Sequence, residues 1–132
     1  MTKMNPVVHF EMPAEDRKRV IDFYTKVFGW KMQQLGPEMG DYVLAGTTET
    51  DEKTRMPKTP GAINGGFFQK GKDGTVPHIV IAVDNLDHSM TMVKESGGKI
   101  TGEPMDIPGI GKFVIFTDTE NNRVGILQPP KM

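Results

Sequence analysis

Three side chains pair acid–base or ligating chemistry with telling positions: His9, Glu11 and His78. An imidazole donates, accepts and changes charge near neutrality, and a carboxylate two residues away can act as a general base or a ligand. His9 and Glu11 lie in Pro6-Val7-Val8-His9-Phe10-Glu11-Met12, a β-branched and aromatic-rich run that reads as a strand ended by Pro13. Side chains alternate along a strand, so His9 and Glu11 share a face with Val7, while Val8, Phe10 and Met12 share the other. Other chemistries lack carriers. There is no cysteine, which removes disulfides, thiolate ligands and a cysteine nucleophile. Ser89 and Ser96 fall on or at the end of a helix with no Gly-x-Ser-x-Gly turn. The glycines of Gly61-Ala62-Ile63-Asn64-Gly65-Gly66 open no amphipathic helix, so they form no phosphate loop. His88 lies on an early, exposed helical turn and takes no role.

The elements that must position these residues occur twice. Gly29 follows His9 by twenty residues and Gly98 follows His78 by twenty, so the halves are in register at an offset of 69. A long unit present only twice means two copies sharing a core, because an open solenoid needs about three or more. After the first strand, Asp16 is a candidate N-cap. Val20, Phe23, Tyr24, Val27 and Phe28 then form an apolar stripe at helical spacing, and Gly29 closes the helix. Strands are expected over Trp30 to Leu35, Asp41 to Ala45, and Ala62 to Gln69, whose paired glycines mark a bulge or a close backbone approach. The polar stretch from Gly46 to Pro60 reads as a surface loop without order of its own. The second copy places a strand over Pro77 to Val83 and a helix from about Asp87 to Ser96 carrying Leu86, Met90 and Val93. Strands over Lys99 to Thr101, Lys112 to Asp118 and Arg123 to Gln128 follow. Residues 102–111, rich in glycine and proline, read as a connection that rims an opening. Each copy is thus β-α-β-β-β.

Length and charge narrow the class. A chain of 132 residues is expected to form one domain. Sixteen Lys and Arg against seventeen Asp and Glu, with no long block of either sign, argue against nucleic acid as a partner. No apolar run is long enough for a membrane span, and Met1-Thr2-Lys3-Met4-Asn5-Pro6 lacks the apolar centre of a secretion signal, so a cytoplasmic location is expected. The ten methionines are pliable core fillers, and Phe67, Phe68, Phe113 and Phe116 are expected to divide between core and pocket.

The paired modules resemble the vicinal oxygen chelate superfamily, which groups glyoxalase I, bleomycin resistance proteins and extradiol dioxygenases. The residues that carry the resemblance are Val7-Val8-His9-Phe10, Ile21 to Trp30, His78 to Asp84, and the terminal strand Asn122-Arg123-Val124-Gly125-Ile126-Leu127. The resemblance implies an α+β fold in which two βαβββ modules, about 5–70 and 75–130, form a curved mixed sheet with a cup-like pocket. It also implies metal ligands on the first strand of each module, matched by His9 and His78, and carboxylate ligands on each last strand. Those last positions align to Gly66 and Gly125, which have no side chain, and Gln69 and Gln128 point to the opposite face. Glu11 could complete a two-histidine, one-carboxylate set for nickel, zinc, iron or manganese, or serve as a catalytic base. The expectation is therefore a pocket for a small-molecule ligand with an incomplete metal site. The alternative is a metal-dependent lyase, isomerase or dioxygenase using His9, His78 and Glu11. The family also implies a homodimer, with the cup formed within one chain or across the interface.

Overall fold

The structure, a computed structural model, describes residues 3–54, 56–71, 76–107 and 109–130. Strand β1 (Val7–Ala14) leads to helix α1 (Arg17–Phe28), β2 (Lys31–Gln34), β3 (Val43–Gly46) and β4 (Asn64–Gln69). Strand β5 (His78–Ala82) then leads to α2 (Leu86–Glu95), β6 (Lys99–Ile107), β7 (Gly111–Thr117) and β8 (Arg123–Gln128). The expected α+β class and the β-α-β-β-β repeat are both present. Among the described residues, no helix is long and apolar enough to cross a membrane.

The chain divides into two units, one from His9 to Pro77 and one that joins the segment up to Val8 to the residues from His78 onward. In the first unit β1 runs parallel to β4, and β3 is antiparallel to both β4 and β2. In the second unit β5 runs parallel to β8, and β7 is antiparallel to both β8 and β6. The same topology occurs twice. Even the glycines correspond, since Glu11 lies opposite Gly66 as Val80 lies opposite Gly125.

Local chemistry explains the helices. The Asp16 carboxylate accepts the Arg19 N–H at 3.0 Å, a cap worth about 1 kcal/mol, and Gly29 ends α1 at φ 70°, where a Cβ would be strained. Asn85 caps α2 in the same way, through the His88 N–H at 3.0 Å. Behind α1 the core is Ala14, Val43, Ala45 and Phe67, flanked by Val20, Ile21, Tyr24 and Trp30, with the Tyr24 and Trp30 rings stacked at 4.7 Å. Behind α2 it is Val83, Leu86, Val114 and Ile126, flanked by Ile81, Met90, Ile100 and Phe116.

Four expectations need correction. The α1 stripe is narrower than expected: Phe23, Val27 and Phe28 are each more than half exposed, because successive residues turn about 100° and the sheet covers only the side bearing Val20 and Tyr24. Pro13 does not end β1. The Ala14 carbonyl accepts from Lys70 N–H at 2.9 Å, so Ala14 turns its polar groups toward β4 while those of Pro13 point away from that ladder. Strand β6 continues to Ile107, absorbing Gly102 and Pro104 in an irregularity between Thr101 and Met105 before pairing resumes with β7, so most of the expected 102–111 connection is strand. Pro108 lies outside the described residues.

The loop after β3 has order of its own. Thr50 and Pro57 form a β-bridge, and Lys58 N–H donates to the Glu49 carbonyl at 2.8 Å. Asn64 holds the loop from β4: its Oδ1 accepts Thr47 N–H at 2.8 Å and its Nδ2 donates to Thr50 Oγ1 at 2.9 Å. A polar composition set the expectation of disorder, but the polar side chains here serve as the loop's own hydrogen-bonding partners.

Candidate functional site

In the first unit α1 covers the face bearing Phe10, Met12, Val43, Ala45 and Phe67, which leaves the opposite face to His9, Glu11, Leu44, Asn64 and Gly66. Strand alternation therefore places His9 and Glu11 together, as expected. The structure adds a residue that the sequence reading missed. Tyr42, two residues before Leu44, shares that face, and its hydroxyl joins the two expected side chains. The Tyr42 hydroxyl donates to Glu11 Oε2 at 2.9 Å and lies 3.0 Å from His9 Nε2.

A hydroxyl has one proton. Because Tyr42 gives it to Glu11, the Nε2 of His9 must itself carry a hydrogen and donate to the phenol oxygen. The chain of donors runs from His9 through Tyr42 to Glu11, and its direction fixes the Nε2-protonated form of His9. Burial first, then the negative charge of Glu11 and the hydrogen bond to it, push the Tyr42 phenol far above its usual range, so it stays neutral and keeps its proton.

Tyr42 also accounts for Gly66. A Cβ built at residue 66 would run into the hydroxyl and ring of Tyr42, so the glycine is what lets the phenol lie across β4. The second unit repeats the device in apolar form. Leu44 opposes Gly66 and Ile115 opposes Gly125, and two residues before Ile115 stands Phe113. A Cβ at residue 125 would meet the Phe113 ring at 2.7 Å and Val80 Cγ2 at 3.3 Å. The signal was present in the sequence as an aromatic residue immediately before the third strand of the first module and early in the third strand of the second. It was legible only once the strand registers were known.

His78 lies in the second unit, 8% exposed, on the face of β5 it shares with Val80, whose position corresponds to that of Glu11. Among the described residues, no three His, Cys, Asp or Glu side chains form a group that could hold a metal ion. The two last-strand positions where the resemblance implied carboxylates are glycines, and the space beside each is taken, by a phenol at 66 and by a phenyl ring and a valine at 125. These residues do not fit a four-ligand divalent site. Gln128 serves the fold instead, accepting the Leu86 N–H at 2.8 Å at the start of α2. His88 is exposed and uses its backbone N–H in the Asn85 cap.

Comparison with known proteins agrees with this architecture. Residues 7–126 match the family described as the Glyoxalase/Bleomycin resistance protein/Dioxygenase superfamily. A glyoxylase-like domain-containing protein of Didymella fabae is 31% identical over 128 residues, covering 91% of each chain. CFP32 of Mycobacterium tuberculosis is 32% identical over 78 residues, which are 57% of this chain and 30% of CFP32, so the match spans about a third of that longer protein. Among solved structures, a methylmalonyl-CoA epimerase of Streptomyces coelicolor in complex with 2-nitronate-propionyl-CoA superposes with a TM-score of 0.67 at 12% identity, covering 98% of this chain and all of that one, a likeness of fold. With the repeat, the topology and the sequence match in agreement, the chain belongs to the glyoxalase/bleomycin resistance protein/dioxygenase superfamily.

Proposed function

We propose that this chain binds a small organic molecule on the sheet face that carries His9, Tyr42 and Glu11, and that it does so without a metal ion. The observation that supports this reading is the Tyr42 hydroxyl, which lies where a side chain at 66 would project and bonds both His9 and Glu11. The Nε2 of His9 holds a proton and is spent as a donor, so a metal ion at that nitrogen would have to displace both the proton and the contact with Tyr42. A neutral phenol is a poor replacement for a carboxylate ligand, since its bond to a divalent ion requires loss of the proton that burial and Glu11 retain. The arrangement suits recognition by hydrogen bonds. A directed donor chain ending on a carboxylate, held on a rigid sheet beside Leu44, orients a ligand's polar groups and leaves apolar surface for the rest.

The deciding experiment is elemental mass spectrometry on protein purified without tag or chelator and then incubated with nickel, zinc, iron and manganese. The expected result is no stoichiometric ion under any loading. One ion per chain, lost in His9→Ala and in His78→Ala, would overturn the proposal and support the metal-dependent lyase, isomerase or dioxygenase in which His9 and His78 are ligands and Glu11 is ligand or base.

A further inference from the structure

The second unit carries a row of donors for which the reading above has no use. Lys99 on β6 lies opposite Thr117 on β7, and Thr117 lies opposite Arg123 on β8. Strand β5 runs parallel to β8 with Val80 level with Gly125, so stepping back two residues on each strand brings His78 level with Arg123 on the same face. That face is the one turned away from α2, whose core is built from Val83, Val114 and Ile126 on the other side of the sheet. An ammonium, a hydroxyl, a guanidinium and a buried imidazole thus stand in one line across four strands.

Arg123 is the informative member. Its Nε is shielded from solvent and has no hydrogen-bond partner among the described residues. A guanidinium is always charged and only donates, and a buried donor left unpaired is costly enough that native structures rarely keep one. The other such atom, Arg17 Nη1, belongs to a side chain that has a carboxylate at hand, with Arg17 Nη2 3.7 Å from Asp41. Arg123 and Lys99 form no ion pair among the described residues. The two carboxylates that precede Arg123 most closely in the chain are otherwise engaged, Glu120 Oε2 by the Thr119 hydroxyl at 3.0 Å and Asp118 by the N–H groups of Glu120 and Asn122 and by the Asn122 side chain, at 2.8 to 2.9 Å.

Comparison between the modules sharpens the point. The residue level with His9 is Asn64, which spends both ends of its amide on Thr47 and Thr50 to hold a loop. Arg123 stands at the corresponding place beside His78 with a donor still to satisfy. We infer that Arg123, with Lys99, Thr117 and His78, forms an oxyanion site that takes the carboxylate or phosphate group of a small molecule. A planar guanidinium matches such groups two oxygens at a time, and a second cation beside it adds attraction without fixing geometry. The inference stands on Arg123, Lys99 and Thr117 of this unit, so failure of the reading at His9, Tyr42 and Glu11 would leave those three donors in place.

The test is the Nε–H resonance of Arg123 in 15N-labelled full-length protein, assigned by its disappearance in Arg123→Gln and followed through separate titrations with acetate and inorganic phosphate. A saturable shift is expected with at least one anion, and which anion saturates tells carboxylate from phosphate. Lys99→Ala, an exposed substitution that leaves the fold intact, is expected to weaken that binding by about three- to tenfold. Arg123→Lys, which keeps the charge and loses the fork, is expected to weaken it about tenfold or more. An unmoved resonance, a shift indifferent to Lys99→Ala and Arg123→Lys, or a long-lived water cross-peak at Nε–H without anion response would overturn the inference.

Discussion

Substituting Gly66 with alanine tests whether Tyr42 is held where the structure puts it. The backbone at Gly66 is not in the left-handed region, so alanine is conformationally permitted and by itself would stabilise by about 0.4–1 kcal/mol through the unfolded chain. The added methyl, however, runs into the Tyr42 hydroxyl and ring. Relief requires the phenol to swing off β4, and the swing breaks its hydrogen bonds to Glu11 at 2.9 Å and His9 at 3.0 Å. Overpacking costs about 1–3 kcal/mol, and bonds that involve a carboxylate are worth about 1.5–3 kcal/mol, so the net expectation for Gly66→Ala is a loss of about 2–4 kcal/mol. In a Tyr42→Ala background the same methyl enters vacated space. There Gly66→Ala is expected to be neutral or to stabilise by up to about 1 kcal/mol. The two sites are therefore coupled by about 2–5 kcal/mol, far beyond the roughly 0.5 kcal/mol within which independent sites add. Urea unfolding followed through Trp30, the one tryptophan, which stacks on Tyr24 inside the same unit, gives the four stabilities of the cycle. If Gly66→Ala costs the same in both backgrounds, Tyr42 does not lie over Gly66 and the donor chain proposed for the site is wrong.

Two further outcomes follow from the same interactions. Tyr42 has a folded-state pKa raised above its ordinary value of 10.0, so its contribution to stability is fully present below about pH 10 and is lost as the pH rises above it, where the unfolded chain ionises first. Stability is then lost at up to about 1.4 kcal/mol per pH unit, and Tyr42→Phe is expected to remove that share of the alkaline slope; an unchanged slope in Tyr42→Phe would refute the assignment. Asn64→Ala removes the acceptor for Thr47 N–H and the donor to Thr50, about 1–2 kcal/mol of local anchoring, so tryptic cleavage after Lys53 or Lys58 in the native protein should accelerate about five- to thirtyfold while global unfolding changes less. Equal cleavage rates would mean that Asn64 does not tether the loop.

The parts of this molecule that were legible in the sequence are those governed by local rules. Asp16 and Gly29 bracket α1 as a cap residue and a left-handed glycine do wherever they occur, and the alternation of a strand was enough to put His9 and Glu11 on one face. Arg123 to Gln128 was placed to the residue, because apolar β-formers followed a turn whose Asn121 adopts positive φ at 66°. What escaped depends on pairing between strands. Pro13 reads as a terminator until one knows which side of β1 its missing N–H would have faced, and Gly102 reads as a loop until its bulge is seen to let β6 regain register with β7 at Met105. Polar loop composition likewise said nothing of Asn64, which lies in the next strand and supplies the loop's anchor.

Tyr42 belongs to this second group and shows why a site can be half visible. Read alone, the glycines at 66 and 125 look like deletions from a symmetrical set of ligands. Read with the registers, each is the complement of an aromatic ring two residues before its cross-strand neighbour. The two modules then differ in a correlated way, since Glu11 and Tyr42 in one stand where Val80 and Phe113 stand in the other. A phenol over valine would bury an unpaired hydroxyl, and a carboxylate under a phenyl ring would lack its donor, so each pair is consistent only as a pair. The ring-over-glycine packing is therefore the structural element, common to both modules, and the hydroxyl with its carboxylate is what the first module adds to it. Packing alone would be satisfied by phenylalanine at both places, and it is this surplus of polar chemistry at residues 11 and 42 that supports the proposal of a ligand-binding role for the first module's sheet face.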